Sequence, residues 1–173
     1  ICNYLVIPSQ SGSDRILKRM GRRTDTAQIR ELIKRLREKI PDICIRTTLI
    51  TGFPGETEED HEATLALVDE MEFDRLGVFT YSAEEGTPAA DMPDQVPEEI
   101  KERRRDEIME LQQEIAFEAA ENMVGRRVKA MVEGKIVESE DPNNPEVTAI
   151  FTNTQRKLIN IAFDKLWIDA ENK

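Results

Sequence analysis

The residues best suited to chemistry follow an apolar run and form the turn Thr51-Gly52-Phe53-Pro54-Gly55-Glu56 before an acidic segment. In a parallel α/β sheet, ligands bind at the carboxyl end of a strand, against the amino end of the next helix. Gly52 and Gly55 have no Cβ, so the backbone there can take unusual dihedral angles and approach a ligand closely. The turn therefore predicts a ligand site, although a tight strand-to-helix turn without a ligand explains the same residues.

The elements that position this turn alternate between strands and helices. Apolar runs predict strands at 3–8, 43–50 and 76–81, and amphipathic periods predict helices from about Thr24 or Thr26 to Ile40 and over 58–71. This alternation is typical of a parallel sheet in an α/β fold. Because three strands cannot close a barrel, we expect that the amino-terminal half of the domain is missing from this chain.

A long helix is predicted after the third strand, from Pro97 to about residue 124. At 1.5 Å per residue it would be about 40 Å long, which is enough to connect two domains. Alternating apolar residues at 126–137 predict a β-hairpin that opens a small β domain, and the tail has room for two more strands. We therefore divide the chain into a sheet-and-helix part at 1–96, a linking helix at 97–124 and a small β domain at 125–173.

Charge divides the chain unevenly, with a net charge of +6 over residues 1–46, −17 over 47–124 and zero over 125–173. The basic residues of the first part fall mostly on helix surfaces, where solvation is the ordinary explanation and contact with nucleic acid is the alternative. No apolar run approaches the roughly 18 residues that span a membrane, and we expect no signal peptide. These patterns predict a protein without a membrane partner.

The two cysteines and the one histidine do not predict a metal centre. Cys2 and Cys44 lie far apart in apolar runs, and two lone cysteines cannot form a zinc or iron–sulfur site without other ligands. Reduced, buried thiols fit the reducing cytoplasm. His61 follows three acidic residues in the first turn of a helix, where we expect solvent to be its partner.

Several segments together resemble the radical S-adenosylmethionine methylthiotransferases over residues 1 to about 137. The segments are Asn3–Gln10, Ser13–Met20, Arg46–Thr48, Gly52–Asp60 and Phe73–Ser82. Residues 84–90 and 95–101 resemble the RimO branch, which modifies an aspartate of a small-subunit ribosomal protein. The resemblance identifies the fold as the carboxyl-terminal part of a partial (β/α) barrel, followed by a long linking helix and a small TRAM or OB-like β domain.

The same resemblance implies cofactors and partners. S-adenosylmethionine would lie across the carboxyl ends of the strands, and the full-length parent would carry two [4Fe–4S] clusters. The cluster that cleaves S-adenosylmethionine is bound in this family by three cysteines in a CxxxCxxC loop, which this sequence does not contain. We therefore expect the chain alone to be inactive, with a ribosomal protein or the ribosome as partner of the parent.

Site residues follow from the resemblance position by position. Cofactor contacts are implied for Gln10, Ser11, Thr51, Gly52, Phe53, Gly55 and Glu56, and the substrate entrance for Tyr81 and Ser82. Polar residues are common in turns, and this explains the presence of Gln10 and Ser11 equally well. Glu56 would accept a hydrogen bond from the amino group of the cofactor, or only favour the helix dipole. Tyr81 is also consistent with a core residue whose hydroxyl meets water.

Two departures from the family pattern leave the function open. The turn Gln10–Asp14 is closer to the branch that modifies tRNA, because RimO-type proteins usually carry a histidine there. Residues 125–137 begin like a TRAM domain, but the tail after about Asp141 cannot be matched to one. The alternatives are methylthiolation of a tRNA adenosine and a non-catalytic module that binds the ribosome or RNA.

Overall fold

The computed structural model describes residues 3–125, 127–132, 135–137, 148–150 and 157–162. The chain divides into two compact units, residues 1–119 and 120–173. The elements of the first unit are β1 (Tyr4–Val6), α1 (Asp14–Arg19), α2 (Thr26–Lys39), β2 (Cys44–Thr51), α3 (Glu58–Met71), β3 (Arg75–Thr80) and α4 (Glu98–Glu121). None of the described helices is both long and apolar enough to cross a membrane.

The first unit contains a three-stranded parallel sheet, as the alternation of strands and helices predicts. The strand order is β1-β2-β3, with Tyr4 beside Cys44 and Arg46 beside Arg75. All three carboxyl ends therefore lie at one edge, which brings the segments after β1, β2 and β3 together.

Local sequence signals define where the helices begin. Asp25 caps α2 by accepting a hydrogen bond from the Gln28 backbone, and the Gln28 side chain accepts one from the Asp25 backbone, which completes a capping box. Thr57 and Asp60 form the predicted capping box of α3. The predicted helix over 58–71 is confirmed.

Helices cover one face of the sheet and bury its apolar residues. Ile45 of β2, Leu17 of α1, Ile33 of α2 and Leu67 of α3 belong to one buried cluster, together with Phe73. A second cluster joins Leu49, Val68 and Ile108. Because every element from α1 to α4 contributes to these clusters, hydrophobic burial fixes the sheet against the helices.

The inner face of α4 is partly polar. Ile108 is fully buried, and Lys101, Arg104 and Gln112 are buried with it. Each of these side chains has a partner in an earlier loop of the chain, which compensates in part for the loss of hydration. An apolar contact of α4 with the sheet is made by Ile108, which packs with Leu49 of β2.

The second unit has four described strands, β4 (Arg127–Val132), β5 (Lys135–Val137), β6 (Thr148–Ile150) and β7 (Lys157–Ala162). β4 pairs with β7 and β5 pairs with β6, both antiparallel. Among the described residues, β4 and β5 do not pair with each other, so the predicted hairpin between them is wrong, whereas the two further strands in the tail are confirmed. The division at 1–96, 97–124 and 125–173, and the TRAM-like character of the last part, stay predictions.

Candidate functional site

The turn after β2 is shaped by two glycines with positive φ, Gly52 at +71° and Gly55 at +78°. The Gly52 N–H donates to Oε1 of Glu56 at 2.9 Å, and the Glu56 N–H donates to the Phe53 carbonyl, also at 2.9 Å. Gly55 donates its N–H to the Asp94 carbonyl at 2.7 Å. These bonds hold the turn in a single conformation before any ligand is bound.

Side chains of the protein itself occupy the space that the two glycines leave. A Cβ on Gly52 would lie 2.1 Å from Cγ of Lys101, and a Cβ on Gly55 would lie 2.9 Å from a terminal nitrogen of Arg19. The lack of a Cβ on Gly52 and Gly55 therefore leaves room for the stem of Lys101 and the guanidinium group of Arg19. Cofactor contacts at Gly52 and Gly55 stay predictions, and intramolecular packing already accounts for both residues.

Glu56 forms a buried ion pair with Arg104 instead of facing open solvent. Oε1 of Glu56 lies 2.8 Å from the Arg104 guanidinium, and the two side chains are only 4% and 5% exposed. Burial raises the pKa of Glu56, and the hydrogen bond from Gly52 and the charge of Arg104 oppose that rise. This pairing ties the turn to α4.

The segment after β1 enters the same edge of the sheet. Gln10 has a φ of +70°; its N–H donates to the Thr48 carbonyl and its own carbonyl accepts from Ile50, both at 2.9 Å. A positive φ in a residue other than glycine is uncommon, and here two hydrogen bonds to β2 hold it. Ser11 is buried, and its hydroxyl accepts a hydrogen bond from the Ser13 backbone.

A cavity of about 460 Å³ opens at this edge of the sheet. It is lined by Gln10, Arg19, Met20, Arg22, Ile50, Phe53, Tyr81, Thr87, Pro88, Ala89 and Met92. Phe53 and Tyr81 form one wall, edge to face, with ring centroids 5.3 Å apart. The structure thus brings together three predicted site residues, Gln10, Phe53 and Tyr81.

The other predicted residues lie outside this lining. Gly55 and Glu56 line a separate cavity of about 410 Å³. Ser11 and Thr51 are buried, Gly52 packs on Lys101, and Ser82 is exposed. The roles implied for these six residues stay predictions.

Two arginines that the sequence patterns did not single out give the cavity its charge. Nε of Arg19 donates to the Pro54 carbonyl at 3.0 Å, and a terminal nitrogen of Arg22 donates to the Pro8 carbonyl at 3.1 Å. Within the described part of the chain neither has an acidic partner, and no carboxylate lines the cavity. In the sequence, the available signal for this charge was that Arg19 and Arg22 lie three residues apart, at the end of the short helix α1.

Asp60 connects α1 to the turn. It accepts hydrogen bonds from the Ser13 hydroxyl at 2.6 Å, from Arg15, and from both the backbone and the hydroxyl of Thr57. Burial by itself would raise the pKa of Asp60, but these donors outweigh it and lower the pKa to about 2.

Replacing Asp60 with asparagine should therefore change how stability depends on pH. The folded-state pKa lies below the unfolded value, so the contribution of Asp60 is present above about pH 4 and is lost as pH falls toward 2. At pH 7 we expect Asp60→Asn to lower the free energy of unfolding by about 2 kcal/mol. Urea unfolding at pH 7 and pH 3 measures this, with the exposed Asp69→Asn as control. An equal loss at both pH values would contradict the interpretation.

His61 is buried instead of meeting solvent, so that prediction is wrong. It is 2% exposed, and its Nε2 lies 2.5 Å from Oε2 of Glu107, because α4 packs over the first turn of α3. Ligand atoms of Glu58, His61 and Glu107 lie within 4.8 Å of one another. Arg103 and Arg104 already pair with these carboxylates, so the group acts as an ion-pair network.

Comparison with known proteins relates this chain to radical SAM proteins. Residues 1–68 match the model of the radical SAM superfamily. A protein named ribosomal protein uS12 methylthiotransferase RimO, from Lachnoclostridium phytofermentans, is 62% identical over 138 residues, which are 80% of this chain and 31% of that protein. The protein of that name from Alkaliphilus oremlandii is 43% identical over 173 residues, covering 95% of this chain and 40% of that protein.

A solved structure supports the same fold. Coproporphyrinogen III oxidase (HemN) from Escherichia coli, a radical SAM enzyme, matches with a TM-score of 0.52 and 26% identity over 72% of this chain and 28% of that one. The predicted fold class, a parallel α/β part of a radical SAM barrel, is confirmed. The chain spans about a third of the length of the curated relatives it matches. In sequence the chain is similar to radical SAM proteins and, among its relatives, to proteins named ribosomal protein uS12 methylthiotransferase RimO.

Proposed function

We propose that this chain is the carboxyl-terminal part of a radical SAM enzyme that methylthiolates an aspartate of a small-subunit ribosomal protein in the cytoplasm. The observation that carries the proposal is the arginine-lined cavity at the carboxyl edge of the sheet, in a chain 62% identical to a protein named for uS12 methylthiotransferase activity. The parent would use S-adenosylmethionine and two [4Fe–4S] clusters, whose cysteine ligands lie outside this sequence.

The cavity suits S-adenosylmethionine in size and chemistry. A volume of about 460 Å³ is within the range of small-molecule sites. Phe53 and Tyr81 offer an apolar wall for the purine, and the Gln10 amide can bond ribose hydroxyls. Arg22 can bind the carboxylate of the amino acid portion, because a guanidinium group forms paired bonds with a carboxylate.

When bound in the parent, the clusters and S-adenosylmethionine would supply the chemistry: one molecule, cleaved with an electron from the reductant, would give the radical that takes the hydrogen atom of the target carbon, and a second would give the methyl group. The net change replaces a C–H bond of the target with a C–S bond to a methylthio group, so a sulfur donor and a reductant are co-substrates. The residues of this chain bind and orient: Arg19 and Arg22 place positive charge at the edge of the sheet, and the turn after β2 keeps the wall in position.

Replacing Arg22 with methionine should weaken the binding of S-adenosylmethionine to the complete protein. A hydrogen bond between charged groups contributes about 1.5–3 kcal/mol, which corresponds to a roughly 10- to 150-fold higher Kd. Isothermal titration calorimetry measures this, and the exposed Arg23→Met should leave the Kd unchanged. Decarboxylated S-adenosylmethionine should bind both variants alike. Equal loss for both ligands would argue against a carboxylate contact.

Mass spectrometry of the candidate substrates tests the reaction itself. The complete protein, loaded with iron and sulfide, is incubated with S-adenosylmethionine, a reductant, and either the ribosomal protein or bulk tRNA. We expect one methylthio group on an aspartate of the ribosomal protein and none on tRNA. Modification of tRNA alone would favour the alternative suggested by the turn Gln10–Asp14, and modification of neither would favour a non-catalytic binding module.

A further inference from the structure

The first turn of α4 holds the wall of the cavity through Lys101. This lysine is 8% exposed, and its Nζ donates to the Tyr81 carbonyl at 2.8 Å and to Glu98 at 3.0 Å. The ammonium group also lies 5.6 Å from the centroid of the Tyr81 ring. A lysine buried to this degree needs such partners, because desolvation of an unpaired charge is costly.

Lys101 also holds the strand on the other side of the wall. Its stem fills the space beside Gly52, and its backbone carbonyl accepts a hydrogen bond from the Thr51 hydroxyl at 3.2 Å. The Tyr81 N–H donates to the Thr51 carbonyl at 2.8 Å. Lys101 therefore contacts the carboxyl ends of both β2 and β3, which carry Phe53 and Tyr81, while it does not line the cavity itself.

A second side chain of α4 makes an equivalent contact at the other end of β3. Nε2 of Gln112 donates to the Phe73 carbonyl at 2.7 Å, and Gln112 is 6% exposed. α4 is thus attached to the two ends of β3 by one side-chain-to-carbonyl bond each. Only the Lys101 bond lies at the edge that carries the cavity.

We propose that Lys101 is a positioning residue for the ligand cavity, fixing the Phe53–Tyr81 wall through the Tyr81 carbonyl and the space beside Gly52. The proposal rests on the proposed function in one respect, that S-adenosylmethionine is the ligand of this cavity. Loss of the lysine removes no group that contacts the ligand but lets the wall shift, and a less preorganised wall binds the ligand less tightly.

The test compares Lys101→Met with Gln112→Met in the complete protein. Both variants lose one buried bond from α4 to a carbonyl of the β3 region, so both lose stability in urea. We expect Lys101→Met to raise the Kd of S-adenosylmethionine about tenfold in calorimetry, and Gln112→Met to leave it within twofold. A role in stability alone predicts the same Kd for both variants, and that result would overturn the proposal.

Two further measurements test the role of Lys101 if the main comparison cannot be made. If Lys101→Met does not fold, Glu98→Gln removes the carboxylate partner of the ammonium at a site that is 60% exposed; a raised Kd supports the proposal and an unchanged one rejects it. If the unmodified protein binds no S-adenosylmethionine, the proposed function fails and amide hydrogen exchange decides about Lys101. Faster exchange over 81–92 in Lys101→Met, but not in Gln112→Met, supports positioning, and equal exchange rejects it.

Discussion

Replacing Arg104 with methionine should lower the free energy of unfolding by about 3–5 kcal/mol, because it leaves Glu56 buried without its counter-charge. Arg104 donates to Oε1 of Glu56 at 2.8 Å and to Glu58 at 3.0 Å, and its side chain is 5% exposed. The pKa of Glu56 is already raised by burial and is held back in part by this guanidinium. Without Arg104, the carboxyl must either stay charged in an apolar site or take up a proton, and both cost free energy.

The neighbouring residue supplies a matched control. Arg103 has the same side chain on the same helix and pairs with Glu58 and Glu107, but it is 47% exposed. Solvent screens such pairs, so Arg103→Met should cost at most about 1 kcal/mol. Urea unfolding of the complete protein measures both variants. Similar losses of unfolding free energy in the two variants would show that burial does not determine how much the Arg104–Glu56 pair contributes to stability.

A double variant separates the ion pair from simple packing. Replacing both partners, Arg104→Met together with Glu56→Gln, removes the uncompensated charge, so we expect it to recover part of the stability lost in Arg104→Met. If the double variant is as unstable as the sum of the two single ones, the residues contribute independently. The comparison is valid because Gln keeps an oxygen acceptor for the Gly52 N–H.

Replacing Gly52 with alanine should lower the free energy of unfolding by about 2–4 kcal/mol for two reasons that add. The φ of +71° is strained for any residue with a Cβ, and that Cβ would lie 2.1 Å from Cγ and 2.9 Å from Cδ of Lys101. The stem of Lys101 cannot simply move aside, since its Nζ is bound to the Tyr81 carbonyl and to Glu98.

The variant Gly86→Ala measures the backbone strain of a positive φ without crowding of the new Cβ. Its φ is +80°, but nothing lies within 4 Å of the position its Cβ would occupy, so Gly86→Ala should show only the strain, about 1 kcal/mol. The difference between the two variants in urea unfolding is the contribution of Lys101. Shortening the lysine in the double variant Gly52→Ala, Lys101→Ala should reduce the crowding. Equal losses for Gly52→Ala and Gly86→Ala would disprove close packing of Lys101 on Gly52.

Local signals in the sequence were sufficient to locate the elements and the edge where the cavity lies. The capping pair Thr57 and Asp60 marks the start of α3 as predicted, because capping depends on residues three positions apart. The turn that follows β2 was recognised from Gly52 and Gly55, since positive φ favours glycine wherever it occurs. What the turn packs against could not be predicted, because Arg19 and Lys101 come from α1 and α4.

The sequence alone determined a parallel α/β fold and the strand edge at which the cavity lies. Those features depend on apolar periodicity, caps and turn residues, which act over a few positions of the chain. Only the tertiary structure decided that Lys101, Arg104 and Gln112 are buried and that His61 meets Glu107. Polar side chains are buried where a partner compensates for lost hydration, and the partner of Arg104 lies 48 residues away at Glu56.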